Sequence, residues 1–408
     1  MQKKMSFYNA RGATQTSPHK VISICDVTLR DGEQTAGVSF STSEKQHIAA
    51  LLDNIGVQQI QLMSPYSGGR MAQKDAEAII KMHLKADIEV MSHAAGLHWH
   101  DSIKAAIDTG ADVVHSLLPF SPKMRGMFRP ILTDDEIVER AHDAVTFAKE
   151  QGAKCINISL LDATRTDEDL TIKTVKALIE AGVDRIRFAD TVGTANPDGI
   201  TYLTKLYKNT INKYSINKKP LLGFHCHNDF GLATANVLAA VQAGVDMVDT
   251  TVNGLGERSG NPDIAQVAVD LDVFTNKRTT INMTKLTELS NEVAKISGIP
   301  IPSNHPLTGR LVFADESEAH VLATSTDPFA YQGILPESIG NVHHIIMGKK
   351  SGINSIAIKL KSLGLPDLSE NTRKEFLEDI RNEGAKRRGS VISDSDFIKI
   401  AKKYFSYF

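Results

Sequence analysis

Eight short apolar runs punctuate the first two thirds of the chain: Val21–Leu29, Val57–Met63, Ile88–Ser92, Val113–Leu118, Cys155–Leu160, Arg185–Ala189, Leu221–His225 and Met247–Val252. Each has the length of a strand buried on both faces. Between them lie stretches with the three-to-four-residue period of amphipathic helices, among them Ser43–Ile55, Asp134–Gln151, Asp167–Ala181 and Gly231–Ala243. One pattern recurs at the joins, in Thr109-Gly110-Ala111-Asp112, Ala181-Gly182-Val183-Asp184 and Ala243-Gly244-Val245-Asp246, where a glycine closes a helix and a buried strand follows. Eight such units within roughly 250 residues predict a (β/α)8 TIM barrel. An open doubly wound sheet would want a glycine fingerprint after its first strand, and none is present. After about residue 275 the pattern changes: Met283–Ser297 and Thr372–Glu383 read as helices, separated by loops around Pro300, Pro302 and Pro306. The expected organisation is an N-terminal arm (1–20), a barrel (21–275) and a mostly helical C-terminal extension (276–408).

Composition narrows the function classes. Over 408 residues, a hydrophobic content of 41%, 23% charge and a net charge of −2 are ordinary for a soluble protein and give no bulk attraction to nucleic acid or anionic membrane. No apolar run approaches the roughly 20 residues needed to span a bilayer. Cys25, Cys155 and Cys226 form no CxxC pair and no disulfide framework, which fits a reducing, cytoplasmic setting. Residues 1–20 carry Lys3, Lys4, Arg11 and Lys20 and no acid, but Gly12 and Pro18 interrupt them. A disordered or dimer-contacting arm is favoured over an organelle signal.

Reactive groups of such a barrel belong at the C-terminal ends of its strands, and the unusual polar residues fall there. Strand one ends in Thr28-Leu29-Arg30-Asp31-Gly32-Glu33-Gln34, strand six in Asp190-Thr191, and strand seven in His225-Cys226-His227-Asn228-Asp229. Strand eight runs into Asn253-Gly254-Leu255-Gly256-Glu257-Arg258-Ser259-Gly260-Asn261. Two apart on a strand, His225 and His227 leave the same face. They are either a pair of metal ligands or two hydrogen-bonded histidines at a polar mouth, and a strand-one carboxylate beside them would decide for metal. Nitrogen ligands with carboxylate, amide and water oxygens suit Mg2+, Mn2+ or Zn2+. Gly254-x-Gly256 alone is a weak phosphate-loop signal. Trp99 with His93, His98 and His100 reads equally as an anion-binding group or as a loop packed on the barrel. Lys386–Arg388 reads as a solvated helix end.

At these motifs the sequence resembles the metal-dependent acyl-CoA condensing enzymes that include 2-isopropylmalate, homocitrate and citramalate synthases. The stretches DVTLRDGEQTAG (26–37), GFHCHNDFGLATANVLAAVQAG (223–244) and VDTTVNGLGERSGN (248–261) carry the resemblance. It continues through ESEAH (316–320), DPFAYQGILPESIGN (327–341) and GKKSG (348–352). The resemblance implies a divalent ion on Asp31, His225 and His227, with Asn261 near or on it. It implies that Arg30 stabilises the oxyanion, that Gln34, Ser159 and Thr191 contact the 2-oxo acid, and that Asn253, Gly254 and Gly256 lie against acetyl-CoA. His320 and Tyr331 match a region that enters the partner subunit's barrel, which makes a homodimer the expectation; His320 with Glu257 or Tyr331 is the candidate for proton handling.

The departures fall on the substrate pocket. Gln61 stands where the family usually has glutamate, Asn157 where homocitrate synthases place arginine, and Leu161 where glutamate is common. The arginine expected after strand three is missing from SHAAGLHWHD (92–101). Residues 118–130 align poorly, although Lys123, Arg125 and Arg129 there, or His93 and His98, are potential replacement cations. A specialised member that uses 2-oxoglutarate poorly is expected. The rivals are a lyase like 3-hydroxy-3-methylglutaryl-CoA lyase, whose family carries a cysteine in the loop after strand eight, and a non-catalytic ligand-binding descendant.

Overall fold

Side chains alternate across each strand, and in this barrel the two faces are chemical opposites. Toward the outer helices point the buried Ile24, Ile60, Val90, Val114, Ile158, Phe188, Phe224 and Val248. The intervening positions, turned to the barrel axis, include Gln61, Glu89, His115, Asn157, Arg187, His225 and Asp249, also buried. The structure, a computed structural model, describes residues 21–275 and 277–405; the arm expected over 1–20 lies outside the described residues.

Eight parallel strands close on themselves in sequence order: β1 (Ser23–Asp26), β2 (Gln59–Leu62), β3 (Asp87–His93), β4 (Val113–Pro119), β5 (Ile156–Leu161), β6 (Arg185–Asp190), β7 (Leu221–Cys226) and β8 (Met247–Thr250). The closing seam pairs Cys25 with Asp249 and Asp26 with Thr250. Between the strands run α1 (Thr42–Ile55), α2 (Pro65–Ile80), α3 (Trp99–Asp108), α4 (Asp134–Glu150), α5 (Glu168–Glu180), α6 (Pro197–Tyr214) and α7 (Ala233–Ala243), followed by α8 (Ile264–Phe274) and α9 (Leu286–Ser297). Local chemistry sets their starts: Ser41 with Glu44 and Thr133 with Glu136 form complete capping boxes at α1 and α4.

Two strands stop two or more residues before the ends of their apolar runs. β1 stops at Asp26, because residues 27–31 fold into a turn in which the amides of Arg30, Asp31 and Gly32 all donate to the Val27 carbonyl, at 3.1, 2.8 and 3.1 Å. Thr28 pins that turn to the end of the barrel by accepting the Val252 amide at 2.9 Å. β8 stops at Thr250. Both truncations serve the same end: they turn the backbone over the barrel mouth instead of extending it upward.

The described residues form two compact units, one reaching Pro300 and the other starting at Ile301. The second contains a pair of two-residue parallel strands, β9 (Ala314–Asp315) and β10 (His344–Ile345). Its helices are α10 (Glu318–Thr326), α11 (Ile353–Ser362), α12 (Glu370–Lys386) and α13 (Asp394–Ala401). Its core is an apolar cluster built on Ile356, Leu360, Phe376, Ile380 and Phe397. Arg387, in the basic run, pairs with Glu383 and Asp396.

Candidate active site

The turn after β1 and the end of β7 converge on one point. His225 closes β7's inward face, and His227 repeats its direction one residue beyond the strand. Their Nε2 atoms lie 3.3 Å apart, and Asp31 Oδ2 lies 3.6 Å from the first and 3.8 Å from the second. The point equidistant from these three atoms is about 2.1 Å from each, within the roughly 2.0–2.2 Å of a zinc bond to nitrogen or oxygen. All three residues are buried. The side-chain oxygen of Asn261 is also buried and has no hydrogen-bond partner, while its amide donates to the Leu255 carbonyl at 3.1 Å. A cluster of converging donors plus an orphaned amide oxygen fits a divalent cation.

Electrostatics keep Asp31 and His227 deprotonated. Burial raises the pKa of Asp31, but Arg30, then His225 and His227, outweigh it and hold the carboxyl well below the usual carboxylate range. Arg30 donates to Asp31 Oδ2 at 2.7 Å, and the Glu257 amide to Oδ1 at 3.2 Å. Burial, then His225, pushes His227 down to about 4, so the ring is neutral at pH 7 with a lone pair to offer.

The structure gathers most of the expected site residues. Arg30, Gln34, Ser159, Thr191 and Glu257 line one cavity of about 160 Å3 with Asp31, His225 and His227; His115, Leu117, Leu161 and Arg258 complete it. Arg30 Nη1 reaches Gln34 Oε1 at 3.5 Å, and Thr191 Oγ1 accepts the Asp162 amide at 2.8 Å. Asn253 is turned to α9, where its amide donates to the Ser290 carbonyl at 2.9 Å. Gly256 is a true cradle: at φ 149° a Cβ would lie 2.1 Å from Asn261 Nδ2 and 3.0 Å from Asp31 Oδ1. His320 and Tyr331 lie in the second compact unit, stacked on each other with ring centroids 3.9 Å apart. Trp99 does not line this cavity: it packs on His100, Phe147 and the Arg140 guanidinium on the outer helices.

Sequence reasoning missed the layer beneath the cavity. Arg187 Nη1 lies 2.9 Å from Glu89 Oε1 and 3.2 Å from Asp249 Oδ2, and all three side chains are fully buried. His115 Nδ1 lies 2.8 Å from Glu89 Oε1, and Asn157 Nδ2 donates to Glu89 Oε2 at 3.1 Å. Gln61 joins this layer to the mouth, touching His115 Nδ1 at 2.6 Å and accepting from Arg30 Nε. Asn157 therefore does not face the cavity at all. The available signal was a pair of opposite charges, Glu89 and Arg187, each at an inward position of a buried run.

A closed parallel barrel with a histidine pair and a carboxylate at its C-terminal mouth defines a metal-dependent barrel enzyme. A family profile described as HMGL-like matches residues 21–293, and one described as homocitrate synthase post-HMGL domain-like matches residues 307–388. Homocitrate synthase AksA of Methanocaldococcus jannaschii is 37% identical over 384 residues, 94% of this chain and 91% of its own. The 2-isopropylmalate synthase of the same organism is 37% identical over 91% of this chain and 70% of its own, and its (R)-citramalate synthase CimA is 35% identical over 94% and 74%. The chain belongs to this family of acyl-CoA-condensing synthases. Among solved structures, the HMG-CoA lyase of Bacillus subtilis superposes with a TM-score of 0.59 at 20% identity, covering 70% of this chain and 97% of that one, which shows the shared barrel. Among the described residues no helix is long and apolar enough to cross a membrane.

Proposed function

We propose that this protein condenses acetyl-CoA with a small 2-oxo acid carrying a neutral side chain, releasing CoA and a 2-hydroxy-2-alkyl dicarboxylic acid. The observation that carries the reading is the convergence of Asp31, His225 and His227 beside Arg30, in a cavity whose far wall is uncharged. Asp31, His225 and His227, with Asn261, would hold one divalent ion, Mg2+, Mn2+ or Zn2+. Such an ion supplies Lewis acidity to the ketone of the acid. Arg30 aims its guanidinium where negative charge develops on that oxygen. Gln34, Ser159 and Thr191 orient the acid, and the Asn253–Gly256 loop lies against acetyl-CoA. The thioester methyl loses a proton to a positioned base, for which His320 with Tyr331 or Glu257 is the candidate, and the resulting enolate attacks the ketone. Water then cleaves the thioester and frees CoA. The stacked His320 and Tyr331 would act in a partner's barrel in a cytoplasmic homodimer. Mixing inactive His320→Ala and Asp31→Ala chains should restore activity once subunits exchange; absence of recovery despite exchange refutes the sharing.

The acid's side chain follows from an inventory of cations. A dicarboxylic acid needs one at the far wall, since an unpaired buried charge costs several kcal/mol, on the order of ion-desolvation penalties. Arg30 is engaged by Asp31 and Gln61. Arg258 is neutralised by Asp229 at 2.8 Å. Burial pushes His115 down to about 4 and lowers His93, so both rings are neutral at pH 7. Arg125 is paired with Asp134 at 2.6 Å, and Arg129 donates to the Gly126 and Phe128 carbonyls. Lys123 and His98 do not line the cavity, and what remains at the wall is Leu117, Leu161 and Ser159. Relatives named for three different acids are 35–37% identical, so identity does not choose among them. Thiol release from acetyl-CoA with pyruvate, 2-oxoisovalerate, oxaloacetate and 2-oxoglutarate decides the matter. A neutral acid is expected to lead; a lead of more than about tenfold for 2-oxoglutarate (~1.4 kcal/mol) overturns this account of the wall.

A further inference from the structure

We infer that Asp249 is a positioning residue of the metal centre: it fixes which nitrogen of His225 is free to bind. The inference rests on the metal reading above. A neutral imidazole carries its proton on one nitrogen, and a ligand must present the other. His225 turns Nε2 to the donor triangle, while its Nδ1 lies 2.9 Å from Asp249 Oδ2. A carboxylate can only accept there, so Nδ1 holds the proton and Nε2 keeps its lone pair. His227 offers an internal contrast, because its buried Nδ1 has no hydrogen-bond partner among the described residues.

Asp249 is itself held. Arg187, two strands away on β6, lies 3.2 Å from the same Oδ2 and is braced by Glu89 at 2.9 Å. Space for that long side chain comes from Gly223 on β7, where a Cβ would stand 3.3 Å from Arg187 Cγ and 2.9 Å from Met247 Cγ. The frame thus runs from β3 through β6 and β8 to the ligand on β7. It is set before any metal arrives, so the ion meets one ligand that needs no reorientation.

The test compares Mn2+ binding, by isothermal titration, in the wild-type protein, Asp249→Ala and Asp249→Asn. Long-range nitrogen NMR of the metal-free proteins reads the histidine tautomers alongside. Loss of the acceptor is expected to weaken Mn2+ binding about 10–100-fold and to give His225 a mixed tautomer while His227 is unchanged. The asparagine variant keeps an acceptor oxygen of the same size, so it should lose less than alanine. It carries the test alone if the alanine variant does not fold. Wild-type Mn2+ affinity and an unchanged His225 tautomer in the variants overturn the inference. Failure of the wild-type protein itself to bind Mn2+ instead refutes the metal reading.

Discussion

The barrel interior and the barrel mouth both bury charge, and they do so to opposite effect. Inside, Arg187 is held between Glu89 and Asp249, with Gln61, His115 and Asn157 also on Glu89. Burial opposes both charges, yet Asp249 and Glu89 hold Arg187 protonated, and Arg187, then His115, holds Glu89 ionised. At the mouth, three donors face one another across 3.3–3.8 Å and a fourth side-chain oxygen has no partner. The lesson is that buried charge alone does not mark a reaction site. Donors left over and aimed at a common point do.

Three experiments test this contrast. Asp31→Ala is expected to lower kcat by about 10^2–10^3-fold, the order seen when a principal electrostatic element of a site is lost. Elemental analysis of the same variant should find the metal gone. A variant that retains wild-type turnover and metal would place the reaction elsewhere. Arg187→Met tests the interior: it strands two carboxylates, and breaking such a buried pair costs about 3–5 kcal/mol. Urea unfolding measures the loss, and a change below about 1 kcal/mol would show that the layer is not an ion-paired frame.

The smallest expected effect concerns Asp26, five residues before Asp31. Asp26 sits on the outer face of β1, one of its oxygens buried without a partner, and burial pushes its pKa up to about 7. Its unfolded-state carboxyl ionises near the ordinary value of 3.8. With the folded pKa raised, the favourable protonated state is fully present below that value and its contribution is lost as pH rises through about 7. Asp26→Asn mimics the protonated form and should be more stabilising at pH 8 than at pH 5, by about 2–3 kcal/mol on the scale of ~1.4 kcal/mol per pKa unit. Equal effects at the two pH values would show that the carboxyl does not titrate there.

Much of the mouth was legible in the sequence. A two-residue strand period places His225 with His227, and the strand order places the segment after β1 near them at one barrel rim. Where β1 stops was not legible, because Val27 and Leu29 are as apolar as the strand before them. They are buried in a turn whose geometry depends on Thr28 reaching Val252, 224 residues away. The interior layer was hidden for a related reason. Arg187 falls inside a run that reads as apolar, and whether a charge can be buried depends on partners, here Glu89, 98 residues distant. Asp249 stood within a recognised signature and drew no role, since its partner His225 is set by the register of β7 on β8, with Phe224 beside Val248.

The cradle at Gly256 has a genetic consequence. Every amino-acid replacement reachable from a glycine codon by one base change carries a Cβ, and here a Cβ would run into Asn261 and crowd Asp31. The codon for residue 256 thus has synonymous neighbours and damaging ones, with no conservative step between. A saturation library of the barrel mouth should find this position silent or lethal, while Leu161 in the cavity wall remains free to drift toward new acids.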